Sequence, residues 1–498
     1  MCGVSTIITD DKKMKKQLQK TILIAILAIV SLSNIANAQY TKVLDFASAT
    51  IGVFPNADLI SDGTFLYGMT VNGGANFMGT IFKIKPDGTG YATLLDFDGT
   101  SKGRSPRGSL ISDGTFLYGM TEGGGTNDMG TIFKIMPNGT GYLKLLDFSG
   151  TVNGSAPVGS LKYDGTFLYG MTFQGGTNTF GTIFKIKPDG TGYIKLLDFV
   201  DNNINNLKGR FPSGSLISDG TFLYGMTSEG GANNYGTVFK IMPDGTGYVK
   251  LFDFAKTVSG KNPLGSLISD GTFLYGMTSE GGANNKGTVF KIKPDGTGYT
   301  KLLDFDGMAN GMSPLGSLLS DGTFLYGMTS AGGTNNGLGI FNGIGVIFRI
   351  KPDGTGYTKL HDFENTANAD GQAPRGSLIS DGTFLYGMTS QGGTNNKGTI
   401  FKYQLGAVVV LQNLSENNPS ISIYPNPFSI HATLQTAIVL KNATLTVCNL
   451  HGQVVKEIKN ISGQTIMIFR NNLPSGLYFI HLTENNKVIT TTKLIITD

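Results

Sequence analysis

The groups best equipped for chemistry in this chain are carboxylates, and they recur. Asp45, Asp96, Asp147, Asp198, Asp253, Asp304 and Asp362 each precede a phenylalanine in an LDF-like run. A catalytic carboxylate pair is used once per site, one group as acid and the other as base or nucleophile. Seven copies at one place therefore predict a repeated hydrogen bond or ion pair to a neighbouring strand. A second set lies in PDGTG runs such as Pro294 to Gly298. These could offer oxygens to Ca²⁺, but they lack the D-x-[DN]-x-[DN]-G series that fills its coordination sphere, and Asp-Gly suits a tight turn. His361 stands where sister runs have Leu or Phe, and reads as a structural histidine with its hydrogen bonds satisfied. Cys2 and Cys448 are the only cysteines, and no H-E-x-x-H occurs. The expectation is no catalytic residue, no cofactor and no metal.

The elements that would position these groups repeat as well. DGTFLYGMT begins at Asp62, Asp113, Asp164, Asp219, Asp270, Asp321 and Asp381, in steps of 51, 51, 55, 51, 51 and 60 residues. That is the period of a repeat array. Within the unit from Ser266 to Phe305, Asp270-Gly271 reads as a two-residue hairpin turn between SLIS and TFLYGMT. A Gly/Asn-rich loop, Gly281 to Asn285, leads to GTVFKI, and the second turn, PDG, leads to YTKLLDF. Each period thus holds four short strands. Phe273, Tyr275 and Met277 alternate with Leu274, so both faces are apolar and both must be covered. Packing like sheets around an axis covers both. The repeated aromatics then read as core, not as a ligand platform.

The ends of the array are complementary. An orphan TKVLDF, Thr41 to Phe46, precedes the first unit, and after Tyr403 the last unit never reaches an LDF. A strand from the front can complete the last unit and leave no open edge. The fold expected is all-β: a seven-bladed β-propeller over 39–404 closed by its N-terminal strand, a linker over 405–420, and a small immunoglobulin-like β-sandwich over 421–498.

The phrase GTFLYGMTxxGGxxNxGTIFKIxPDGTGYxxLxDF resembles the GloVer repeat of bacterial exported proteins, from about Tyr40 to Tyr403. The resemblance implies β-propeller blades and no particular activity.

If the four strands alternate in direction, the DGT and PDGTG turns lie at one end of the sheets, and the remaining loops lie at the other. All length variation falls on the second face, within Asp201 to Gly209, Gly337 to Gly345 and Glu364 to Asp370. Insertions confined to one rim mark a recognition surface. The ligand-binding candidates there are Asn203, Asn205, Ile340, Phe341, Asn342, Ile344 and Asn368. A glycan or surface-protein ligand suits an exported propeller, although the absence of Trp removes the best sugar-stacking side chain. An alternative is a carbohydrate-active hydrolase or lyase with axial carboxylates. Such an enzyme should break the sevenfold sameness at the axis, and the repeats read as uniform there.

Residues 1–38 read as a signal peptide: Lys12, Lys13, Lys15, Lys16 and Lys20, an apolar run from Ile22 to Leu32, and Ala36-Asn37-Ala38 before Gln39. Met14, followed by Lys15 and Lys16, would itself open such a signal, so residues 1–13 can come from an upstream start. Three of the chain's four net positive charges fall in this segment. No basic stripe remains, which disfavours a nucleic-acid partner.

At the C-terminus, Tyr424-Pro425-Asn426-Pro427, then Leu473 to Phe479 with Gly476 and Tyr478, and the final run from Lys493 to Ile496 punctuate a β-rich stretch. These landmarks resemble the type A C-terminal sorting domain of type IX secretion. The resemblance implies the secretion machinery as a partner, passage through the periplasm, and delivery to the cell surface or medium without a transmembrane anchor.

Overall fold

The computed structural model describes residues 39–47, 49–200, 208–334, 344–364, 370–405, 421–426, 428–448, 454–471, 473–484 and 487–497. The chain is all-β and divides into two compact units, Met1–Gly406 and Ala407–Asp498.

In the first unit each repeat folds into one four-stranded antiparallel sheet whose strands are neighbours in chain order. The fifth repeat gives Ile268–Ser269, Leu274–Thr278, Thr288–Ile292 and Thr300–Asp304. Six sheets follow this pattern. The seventh consists of Ile379–Ser380, Phe384–Thr389, Thr399–Gln404 and, from the front of the chain, Tyr40–Asp45. Lys42 lies opposite Phe401 and Asp45 opposite Thr399. The orphan strand therefore caps the edge that Thr399–Gln404 would otherwise expose.

The DGT turn departs from the two-residue hairpin expected. Only its glycine has a left-handed backbone (Gly271, φ 88°), and Asp270 N–H donates to the Phe273 carbonyl at 3.2 Å, making a four-residue loop. The aspartate acts through its side chain. Asp270 Oδ1 accepts from the amides of Thr272 and Phe273, each at 2.7 Å, and Oδ2 accepts from the Tyr275 hydroxyl at 2.7 Å. A carboxylate that satisfies three donors removes the need for positive φ at its own residue.

Both faces of every sheet are covered, because the apolar clusters form between successive sheets. Tyr275, Met277 and Val289 of the fifth pack on Leu318, Leu325 and Phe348 of the sixth. The series returns to its start: Phe46, Leu59, Leu66 and Phe82 pack with Tyr386, Met388 and Ile400. Each buried Phe or Leu contributes roughly 1.5–3 kcal/mol. The central glycine of LYGMT is required by this packing, since a Cβ on Gly276 would lie 2.7 Å from Cζ of Phe290.

The short first strands are tied to one another by a ring of hydrogen bonds. The amides of Asp58, Ser109, Ser160, Ser215, Ser266 and Ser317 each donate to the hydroxyl of the serine one repeat further on, at 2.7–2.8 Å. Ser377 N–H then donates to Asp58 Oδ1 at 2.5 Å and completes the circuit. Small residues let these backbones approach, for a Cβ on Gly108 would sit 2.0 Å from the Gly159 carbonyl oxygen.

The second unit is one five-stranded antiparallel network: Ile421–Tyr424, His431–Cys448, Val454–Phe469, Gly476–Glu484 and Lys487–Ile496. The long His431–Cys448 strand changes partners along its length, pairing with Ile421–Tyr424 in its first half and with Gly476–Glu484 in its second. Leu434, Leu445, Ile468, Ile480 and Leu494 form its core.

Candidate functional site

The recurrent LDF aspartates anchor loops. Asp304 Oδ1 accepts from the amide of Ala283 at 2.9 Å, and Oδ2 pairs with Lys301 Nζ at 2.7 Å. Asp45 does the same for the seventh sheet, accepting from Thr394 N–H at 3.2 Å across 349 positions and pairing with Lys42 at 2.7 Å. The PDGTG carboxylates are likewise engaged locally, Asp295 Oδ1 accepting from the amide and hydroxyl of Thr297 at 2.8 and 2.7 Å.

His361 sits at the closure. Its ring stacks on Tyr40 (centroids 4.2 Å apart, planes at 8°), and its Nε2 lies 2.8 Å from Asp370 Oδ2. The Tyr40 hydroxyl donates to the Asp370 carbonyl at 2.5 Å. This histidine joins the sixth sheet to the strand that completes the seventh.

Contrary to the expectation that no hydrolase-type G-x-S-x-G occurs, Gly99 to Gly103 spells one. It forms a surface turn in which the Ser101 hydroxyl donates to Asp98, with no following helix and no histidine contact among the described residues. It is not a nucleophile elbow.

Of the rim candidates, Asn203, Asn205, Ile340, Phe341, Asn342 and Asn368 lie outside the described residues. Ile344 is described; it packs against the cluster of Tyr326, Ile347 and Phe363, and its carbonyl accepts from Ala373 N–H at 3.0 Å.

A concavity among the described residues lies at the axis, at the end of the sheets where the P-x-(G/A)-(S/D) runs enter the first strands. It encloses about 420 Å³. Its floor is the serine ring, and its wall is the residue that follows the proline of each P-x-(G/A)-(S/D) run. That residue is Asn56, Arg107, Val158, Ser213, Leu264, Leu315 and Arg375 in successive repeats. Polar groups from the seventh, first and second sheets therefore face aliphatic groups from the third, fifth and sixth.

Arg107 Nε lies 2.6 Å from Glu122 Oε2, whereas Arg375 has no hydrogen bond or ion pair among the described residues. Burial and the like charge of Arg107 hold the Arg375 guanidinium below its ordinary pKa. Burial likewise pushes the Asp58 carboxyl up, against the lowering effect of bonds from Ser377 and Ser109. Perturbed groups gathered in one cleft make it a candidate site. In the sequence these wall residues share one repeat position. It is visible only when the seven P-x-(G/A)-(S/D) runs are aligned on their proline.

The Gloeobacter/Verrucomicrobia repeat pattern matches residues 29–166 and 148–341. The chain belongs to the Gloeobacter/Verrucomicrobia repeat family. A second pattern, the secretion system C-terminal sorting domain, matches residues 422–497. It supports export by type IX secretion to the cell surface or extracellular space.

No curated protein matches the chain. Among solved structures, the extracellular domain of a one component system from B. thetaiotaomicron shares 13% identity at a TM-score of 0.46, over 91% of this chain and 58% of that one. The extracellular domain of a hybrid two component system from the same organism shares 11% at 0.44, over 92% and 57%. A structure described as a 6-phosphogluconolactonase from Bacteroides fragilis shares 16% at 0.43, over 83% and 98%. The chain thus spans little more than half the length of the two extracellular domains.

In this Gloeobacter/Verrucomicrobia repeat protein the sorting landmarks converge. Asn426 Oδ1 accepts from the amide of Ile495 at 2.8 Å, Gly476 lies opposite Ile496, and Tyr478 lies opposite Leu494. Lys493 lies opposite Phe479, and the Tyr478 hydroxyl donates to the Pro474 carbonyl at 2.8 Å. Tyr424 is exposed and followed by Pro425, while Pro427 lies outside the described residues.

Proposed function

We propose that this protein is an exported, non-enzymatic binding protein: a seven-bladed β-propeller that takes its ligand at the axial mouth of the long-loop face. A signal peptide over 1–38 starts its export. The immunoglobulin-like sandwich formed by the C-terminal strands hands it to the secretion machinery, and the propeller meets a glycan or surface protein at the cell exterior.

One observation carries the reading. The axial cavity is lined by one repeat position that carries Asn56, Arg107, Val158, Ser213, Leu264, Leu315 and Arg375 in seven otherwise similar sheets. A graded ring of Arg, Asn, Ser and aliphatic groups is what recognition of an asymmetric ligand requires.

The test is a binding screen of the purified protein against glycans and surface polymers, repeated with Leu264→Arg, which fills the mouth. Loss of at least tenfold in affinity with an unchanged melting temperature is expected, and undiminished binding would refute the site. Deleting 337–343 should also weaken binding without unfolding the sheets. Replacing the chain from Lys493 onward should strand the protein in the periplasm, whereas normal surface delivery would refute the sorting role.

A second reading, a carbohydrate hydrolase or lyase, has a specific observation in its favour: Asp58 and Glu122 line the same cavity. Each is already engaged, Asp58 by the ring amide and Glu122 by Arg107. No second carboxylate is paired with either across the cavity as an acid–base couple among the described contacts, and binding is the better reading.

A further inference from the structure

We propose that the axial cavity receives a small organic monocarboxylate with an aliphatic body, its carboxylate on Arg375 and its body against Val158, Leu264 and Leu315. The proposal rests on the mouth being the binding site and adds the chemistry of the ligand.

Arg375, Asn56 and Arg107 occupy one repeat position in three sheets that are consecutive around the ring, so they form a single polar crescent. Within it Arg107 is neutralised by Glu122, at 2.6 Å, and Arg375 is not neutralised by any described residue. A guanidinium that shares a cleft with a second guanidinium gains from an anion, and its planar fork matches a carboxylate's two oxygens. Asn56, next to it in the ring, can donate its side-chain amide to the same group.

The anion is limited in charge. Arg107 is already paired with Glu122 and Asp58 lines the same cavity, so the one guanidinium without a partner among the described residues suits a single negative charge better than the two of a phosphate monoester. The opposite side carries Val158, Leu264 and Leu315, with Ser213 and Phe173 also in the lining, and this largely apolar surface favours a branched hydrocarbon group. A volume of about 420 Å³ accommodates a molecule of that size.

Titration calorimetry on the purified full chain tests this with N-acetyl-leucine, its uncharged amide N-acetyl-leucinamide, and glucuronate. The acid should bind at least tenfold more tightly than its amide and more tightly than glucuronate. Arg375→Gln should lose that preference, Arg375→Lys should keep part of it, and Leu264→Asn should weaken the acid while sparing the charge preference. Equal binding of acid and amide, or an unaltered acid affinity in Arg375→Gln, would overturn the carboxylate assignment while leaving the mouth as a binding site. Failure of all three probes would also overturn it. Binding of a neutral glycan that Leu264→Arg abolishes would then rescue the broader reading, and its absence would remove both.

Discussion

The amide of Ser377, in the last sheet of the array, donates to the carboxylate of Asp58, in the first, across 319 positions of sequence. Six of the seven links in this ring end on a serine hydroxyl and one on an aspartate. The hydrogen bond is shared architecture, and the charge is particular to this repeat. Asp58→Ser should therefore keep the ring and match the parent's stability within about 1 kcal/mol. Asp58→Ala should leave the Ser377 amide unsatisfied, at a cost of about 1–3 kcal/mol. Urea unfolding of the two variants decides; equal stability would mean that the link carries no weight.

The repeated glycines divide into two kinds with opposite tolerance. Gly276 lies under the Phe290 ring, and Gly276→Ala should cost about 2–3 kcal/mol, because a buried ring in a packed core cannot yield. Gly271 has φ 88° and open space around it, so Gly271→Asn should cost less than about 1 kcal/mol. Thermal unfolding with the order of these two reversed would contradict the packing described.

Stability should be flat near neutrality and fall on both sides. Asp62, Asp113, Asp164, Asp219 and Asp270 are pushed up by partial burial but held lower overall by their two amides and a tyrosine hydroxyl. A depressed folded-state pKa gives stability that is complete above the ordinary carboxylate value of about 4 and is lost as pH falls through the folded value. Burial, and then the bonded aspartate, raise the partner tyrosines Tyr67, Tyr118, Tyr169, Tyr224 and Tyr275. Their contribution is complete below about 10 and is lost as pH rises further. Melting temperature recorded from pH 2 to 11 checks both limbs, and a maximum at pH 3 would contradict them.

Much of this architecture could be read from the chain because it is written seven times. The period, the four strands per unit and the spare strand at Thr41 to Phe46 follow from repetition, and the anchoring role of the LDF aspartates follows from their number. The DGT turn was misread because Asp-Gly suits a two-residue hairpin. The carboxylate's three-way capping became apparent only once Phe273 and Tyr275 were in place around it. The axial position from Asn56 to Arg375 is one of several columns in which the repeats differ, the column from Val53 to Gln372 among them, so variation alone does not single it out; its place around the axis does.

The account depends on the first strand closing the last sheet. With Cys2 and Cys448 changed to serine, nitroxide labels placed through Thr41→Cys and Lys402→Cys report on it directly, since these residues are paired across strands. In protein diluted with its unlabelled form, the spectra should show strong dipolar broadening from labels less than about 20 Å apart, as adjacent strands require. Unbroadened spectra, matching the sum of the two single-label variants, would contradict closure and with it the axial site.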